Sequence, residues 1–338
     1  MQRREIVAEM QSAGMGRLKE TRMKYVVWLI LISGLLSMGA GTGALAQVAT
    51  FDDEIRVTLL GTGTPVPLLS RFGPSTLVQA GGETLLFDCG RGATQRLWQL
   101  GIRFGSVDAL FLTHLHSDHL VGLPDFWLMG WLNQPWGQRS KPLQIYGPEG
   151  TGDMVQNLRR AFAWDVDHRL ADGKPGAVPS EATEMRASEF QGGVVYERNG
   201  VRVTAILVEH GGAIRPAYGF RIDYRGRSVV LSGDTEPNDN LIRYATGVDL
   251  LIHQVSMGLS NRTGPLQAGD VFNRANPKMA AYYHIALLAS PGAAEPTEGD
   301  LERATRKVYG GPLVLGADLM QFRIGASGVS ISVAEKVR

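Results

Sequence analysis

From residue 55 onward the chain alternates short apolar runs with glycine, proline and aspartate. "IRVTLLG" (55–61) and "STLVQAGGETLLFDCG" (75–90) carry the aliphatic and β-branched content of strands, the second turning on Gly81-Gly82. "GATQRLWQLG" (92–101) has helical spacing and a glycine stop. "VDALFLT" (107–113) is a buried strand, and "SDHLVGLPDFWLMGWL" (117–132) a helix after it. Further on come the strand "VRVTAILV" (201–208), a hairpin about Arg225-Gly226 in "GFRIDYRGRSVVLSG" (219–233), and the strands "GVDLLIHQ" (247–254) and "GPLVLGADL" (311–319). Before the last of these lies a helix, "EGDLERATRKVYG" (298–310), acidic at its start and basic at its end as the helix dipole favours.

The strands share a way of stopping. "VDALFLT" runs into His114, "VTAILVE" into His210, "VVLSG" into Asp234, "DLLI" into His253 and "PLVLGA" into Asp318. Five apolar runs thus each deliver a metal-capable side chain at their C-terminal end, the rim where layered α/β folds bind ligands. The stretch "THLHSDH" (113–119) adds local geometry, since alternate residues of an extended segment face one way and bring His114, His116 and Asp118 to a common site. His119 follows where the chain turns into a helix. Imidazoles on one side and a carboxylate–imidazole pair on the other suit two divalent ions, zinc or manganese.

Composition changes the picture mainly at the N-terminus. Hydrophobic residues at 44% and charged residues at 20% are ordinary for a globular chain of 338 residues. "MKYVVWLILISGLLSMGAGTGALAQ" (23–47) has a lysine, an apolar run and a small-residue "ALA". That pattern predicts a secretory signal peptide over residues 1–46, cut after Ala46, with Met23 an alternative start. Glycines at 34, 39, 41 and 43 interrupt the run before it reaches the roughly 20 apolar residues of a membrane span. The expectation is an exported protein, periplasmic or secreted, with no membrane anchor and one domain over residues 47–338. Residues 1–46 hold six basic and three acidic residues; without them 28 of the 34 basic and 30 of the 33 acidic residues remain, a net charge of −2. No cluster of Lys and Arg offers the phosphate neutralisation on which nucleic-acid affinity rests, so no nucleic-acid partner is expected. Cys89, the single cysteine, can form no internal disulfide and reads as a buried small side chain.

The "THLHSDH" stretch matches the H-x-H-x-D-H motif of the metallo-β-lactamase superfamily. "LLGTGTPVP", "FGPSTLVQAGGETLLFDCGRGATQRL", "IYGPEG", "AYGFRI", "SGDTEPNDNLI" and "DLLIHQV" resemble, in order, landmarks of the branch that holds ribonuclease Z, related phosphodiesterases and some secreted arylsulfatases. The resemblance covers about residues 55–325. It implies a four-layer αββα sandwich with a dinuclear metal site between the sheets. His114, His116 and His210 would bind one metal, Asp118 and His119 the other, with Asp234 bridging and Asp118 also able to take a proton from the bridging water. His253 stands where the family has a histidine followed by glutamate, here Gln254. His284 is placed like the histidine that protonates the leaving group. The family's last ligand is a histidine ending the final strand, for which this chain offers Asp318.

Other features read more plainly. "GTGTP" (61–65) resembles half a dinucleotide fingerprint, but Pro65 and Pro67 forbid the helix that would hold the phosphate, so it is a loop near the site mouth. His168 lies in a charged segment and should be exposed, whereas Trp127 and Trp131, one helical turn apart, should pack in the core. The expected activity is hydrolysis of a small anionic ester, a phosphodiester or aryl sulfate, by hydroxide generated at the two metals. A lactone or β-lactam hydrolase of the same fold, or a binding protein with a degraded site, are the alternatives, and self-association is left open.

Overall fold

The computed structural model describes residues 53–172, 179–258, 263–289, 292 and 294–335; the expected leader lies outside the described residues. One sheet is built from β1 (Ile55–Gly61), β2 (Ser75–Ala80), β3 (Glu83–Phe87), β4 (Ala109–Phe111), β5 (Leu143–Gly147) and β6 (Met185–Glu189). The other holds β7 (Gly193–Arg198), β8 (Val201–Val208), β9 (Ala217–Tyr224), β10 (Arg227–Leu231), β11 (Leu250–Met257), β12 (Met279–Leu287) and β13 (Leu313–Leu315). The chain then returns to the first sheet with β14 (Met320–Gly325) and β15 (Gly328–Val333), in the order β15-β14-β1-β2-β3-β4-β5-β6. Helices α1 (Ala93–Gln99), α2 (Ser117–Leu120), α3 (Leu123–Gly130), α4 (Thr151–Ala161) and α5 (Ala163–Ala171) follow strands of the first sheet, and α6 (Asp239–Ala245), α7 (Pro265–Ala275) and α8 (Glu298–Thr305) strands of the second.

Side-chain alternation sorts the apolar residues into three cores. Val57, Leu59, Leu85, Phe87, Phe220, Leu250 and Ile252 meet between the sheets. Leu60, Leu86 and Leu110, of opposite parity, face α1 and α3, where Trp127 and Trp131 are buried as expected. Val230, Leu251 and Val255 face α6 and α7. Both faces of each sheet are therefore covered, and the αββα layering follows from period-two burial on strands apolar on both sides. Strands β3, β4, β5 and β6 run parallel to one another, as do β10, β11, β12 and β13. Their C-terminal ends gather at one rim of each sheet.

Two expectations are corrected here. The helix expected over 117–132 breaks at Gly122, where any Cβ would lie 2.3 Å from the Gly90 carbonyl oxygen. The run ending at Asp318 is not the last strand. β14 and β15 follow it as an edge hairpin, and their half-polar alternation hides them among loop-like residues.

Candidate metal centre

Beyond β4 the chain stays extended through His116, which caps α2 at φ −69°, ψ 147°. The following helical turn swings Asp118 and His119 to the far side of His114. The second sheet meets them from two strand ends and one interior bulge. His210 leaves β8 and Asp234 leaves β10 through Gly233, at φ 61°. A Cβ on Gly233 would fall 2.4 Å from the Tyr218 carbonyl oxygen, so the turn that presents Asp234 requires glycine.

His284 arrives differently. The ladder between β11 and β12 pairs Gln254 with Tyr283 and Val255 with Ile285, leaving His284 unpaired in a bulge. Its φ of 46° is left-handed, a conformation that costs a histidine about 1–3 kcal/mol and persists where surroundings enforce it. The bulge turns the imidazole to the cluster, with Nε2 3.3 Å from both Asp118 Oδ2 and Asp234 Oδ2.

Seven side chains thus converge. His114, His116 and His210 bring one ligand atom each within 4.8 Å of one another, and so do Asp118, His119 and His284. Asp234 lies between the triplets: Oδ1 is 3.6 Å from His119 Nε2, and Oδ2 is 3.8 Å from His210 Nε2. All but His116 are buried.

One carboxylate that sequence reasoning missed organises two of the first sheet's three imidazoles. Asp88, at the end of β3 with φ 55°, accepts the His119 Nδ1 hydrogen bond at 2.7 Å. It also accepts the Thr113 amide at 2.9 Å and the Thr113 hydroxyl. That hydroxyl in turn accepts from His114 Nδ1 at 2.9 Å. Each ring therefore has its Nδ1 occupied and its Nε2 facing the cluster, the arrangement that orients a ligating imidazole. Only an aspartate following a β-strand in "LLFDCG" marked Asp88, and nothing in its neighbours singled it out.

Electrostatics fit a cation. Burial works against charge on His119, yet the Asp88 and Asp234 carboxylates outweigh it and raise its pKa well above the ordinary value. Burial likewise opposes charge on Asp234, but the facing His284 and His119 hold it well below the usual carboxylate range. Asp118 is also lowered against its burial, by the His284 hydrogen bond and the His119 charge. His114, among other imidazoles, is pushed well below its ordinary pKa by burial first and by His119 next. His119 Nε2 is buried without a hydrogen-bond partner, 3.6 Å from Asp118 and from Asp234. A buried donor set of imidazole and carboxylate with an orphaned nitrogen at its centre fits divalent metal ions.

Two expected site residues lie elsewhere, and a third changes place. Asp318 is no ligand: Thr62, Phe72 and Arg96 occupy both its carboxylate oxygens. His284, expected to protonate a leaving group, instead stands with Asp118 and His119 in a group that could hold a metal ion. His253, expected to be catalytic, belongs to none of the ligand groups among the described residues. Its ring packs edge-on to Phe272 of α7 at 6.0 Å, and burial lowers its pKa to about 4. Gln254 is buried too, and its Nε2 donates to the Thr235 carbonyl, steadying the turn after Asp234. His168 is exposed as expected, stacked on Trp164.

Comparison with known proteins agrees with this geometry. Residues 55–264 match the family model described as Anti-Pycsar protein Apyc1. Ribonuclease Z of Mycolicibacterium gilvum is 42% identical over 201 residues, covering 60% of this chain and 68% of the relative. Among solved structures, the metallo-β-lactamase fold protein YhfI of Bacillus subtilis has a TM-score of 0.65 at 19% identity, over 80% of this chain and all of that one. The short form of human tRNase Z has a TM-score of 0.56 at 22% identity, over 79% of this chain and 98% of that one. The chain belongs to the family described as Anti-Pycsar protein Apyc1 and to the ribonuclease Z branch of the metallo-β-lactamase superfamily, and it is a metal-dependent hydrolase.

Proposed function

We propose that this chain is an exported, dinuclear phosphodiesterase. The observation that carries the reading is Asp234 standing between two triplets of ligands, so that one carboxylate can serve both ions. His114, His116 and His210 would hold one ion, Asp118, His119 and His284 the other, zinc being the best match to the imidazole-rich set and manganese the alternative. Bound there, two such ions supply a nucleophilic water near neutral pH and neutralise charge on the attacked centre. The protein's own part is orientation: Asp88 and Thr113 fix the tautomers of His119 and His114, and the His284 bulge completes the second triplet. Asp118, 3.3 Å from His284 in the cluster, is the residue we assign to accept a proton.

The name ribonuclease Z runs against the expectation, drawn from charge, that nucleic acid is no partner. A phosphodiester is the chemistry that ribonucleases share with small anionic esters, and it replaces the aryl sulfate as the preferred substrate class. Export rests on the "MKYVVWLILISGLLSMGAGTGALAQ" pattern, and sequencing the N-terminus of native protein should find Gln47. The activity test pairs metal analysis with a panel of bis(4-nitrophenyl) phosphate, a short RNA, 4-nitrophenyl sulfate, a lactone and a β-lactam. About two divalent ions per chain and turnover of a phosphodiester are expected. Turnover of the sulfate alone would sink the substrate class, and metal-free protein with full activity would sink the mechanism.

A further inference from the structure

We infer that Asp318 is a positioning residue for His284, acting through Thr62; the inference rests on the reading of His284 as a metal ligand. The Asp318 side chain is only 4% exposed and accepts four hydrogen bonds. On Oδ1 these come from the Thr62 amide at 2.9 Å and the Thr62 hydroxyl at 2.8 Å. On Oδ2 they come from the Phe72 amide at 2.8 Å and Arg96 Nη2 at 2.9 Å. Every lone-pair position of the carboxylate is used, which marks a built joint rather than an incidental surface contact.

The joint is tied to the His284 bulge on both sides. The Thr62 carbonyl accepts the amide of Ile285 at 2.9 Å, the residue directly after His284. The amide of Gly316, two residues before Asp318, donates to the carbonyl of Tyr282, two residues before His284. Arg71 locks these two ends together, donating from one nitrogen to the Thr62 hydroxyl at 2.7 Å and the Gly316 carbonyl at 2.6 Å. The turn itself is under strain, since Leu319 adopts φ 67° while its amide reaches the Leu59 carbonyl. A left-handed histidine in a bulge holds its direction only if the flanking peptides are fixed, and this clamp fixes them.

A double-mutant cycle on the metal-loaded protein tests the assignment, read as bound zinc per chain under chelator competition. Wild type should hold about two ions, and His284→Ala should weaken one of them while excess zinc still loads it, so that its affinity can be read. Asp318→Ala should weaken that same ion by about 10–100-fold, with turnover restored by excess zinc. In the His284→Ala background the added Asp318→Ala change should cost less than about twofold, because its path to the metal is already gone. An equal loss in both backgrounds, or no loss in either, overturns the clamp while the ligand reading stands. Undiminished affinity for both ions in His284→Ala overturns the ligand reading and this inference with it. If Asp318→Ala does not fold, Asp318→Asn, one oxygen against four donors, should show the same selective weakening in smaller measure, and undiminished zinc affinity in it refutes the clamp.

Discussion

The two sheets reach the metal centre by opposite means. The first sheet contributes His114, His116, Asp118 and His119 from one unbroken stretch, and holds His114 and His119 through side chains, Thr113 and Asp88. The second sheet contributes His210 and Asp234 from beyond two strand ends and His284 from within β12, and aims two of them through backbone conformation: the Gly233 turn and the His284 bulge. Where ligands are neighbours in sequence, one helical turn sets their spacing, and what remains is the choice of tautomer. Where they come from separate strands, the strand ends set the spacing, and individual residues must leave the regular ladder to point inward. The first solution is vulnerable to loss of a hydrogen-bonding partner, the second to anything that lets the ladder relax.

The largest expected effect comes from the first sheet itself. His116→Ala removes a ligand at the exposed edge of its triplet without touching the core, so the fold should survive and one metal should be lost. Transition-state stabilisation by a metal is worth several kcal/mol, which predicts a fall in kcat of about a thousandfold or more. Steady-state kinetics with circular dichroism would check both halves, and near-normal kcat would remove His116 from the site. Asp88→Asn should act next in size. An amide offers one acceptor where the carboxylate bonds His119 and Thr113 together, so metal affinity should fall about 10–100-fold with the ligands themselves intact. Loss confined to an ion held by His114, His116 and His210 would contradict this, because the one ring that Asp88 bonds directly, His119, belongs to the other triplet.

The same contrast explains what could be read in the chain. The first sheet's ligands were legible because their chemistry is contiguous and extended spacing puts alternate residues on one side. His210 and Asp234 were legible because each follows an apolar run directly. His284 was read, by resemblance, as a proton donor to the leaving group; its run, "PKMAAYYHIALL", carries on past it as strand, and only the bulge reveals that it leaves the ladder and reaches Asp118 and Asp234. Asp318 was assigned as a ligand because it ends an apolar run as the others do, although the carboxylate is taken up by Arg96 and two backbone amides. Asp88 was missed because its role lies in bonds to Thr113 and His119, 25 and 31 residues away. Ending at a rim is a matter of sequence; facing the metal is a matter of tertiary contacts.

His253 sharpens that last distinction, because it sits on β11 beside β12 and yet stays out of the cluster. Leu251 and Val255 share its parity and pack in the core under the helices, where His253 meets Phe272. Its Nδ1 bonds the Gln254 carbonyl at 2.6 Å and its Nε2 is buried without a hydrogen-bond partner. His253→Asn should therefore change kcat at neutral pH by less than about threefold, since surroundings rather than substrate would be altered. The effect belongs to stability. Burial lowers the His253 pKa from 6.5 to about 4, so between those values the unfolded chain binds a proton that the folded chain refuses. Stability is then lost as pH falls from 6.5 toward 4, at up to about 1.4 kcal/mol per pH unit for a single group, and the loss levels off below 4. His114 adds a slope of the same sign, which makes the comparison of variant with wild type the informative quantity. Urea unfolding of metal-free protein at pH 7.5, 5.5 and 4.5 should show a shallower decline for His253→Asn. An identical decline would place the buried proton acceptor elsewhere, and a tenfold or greater loss of kcat would return His253 to the active site.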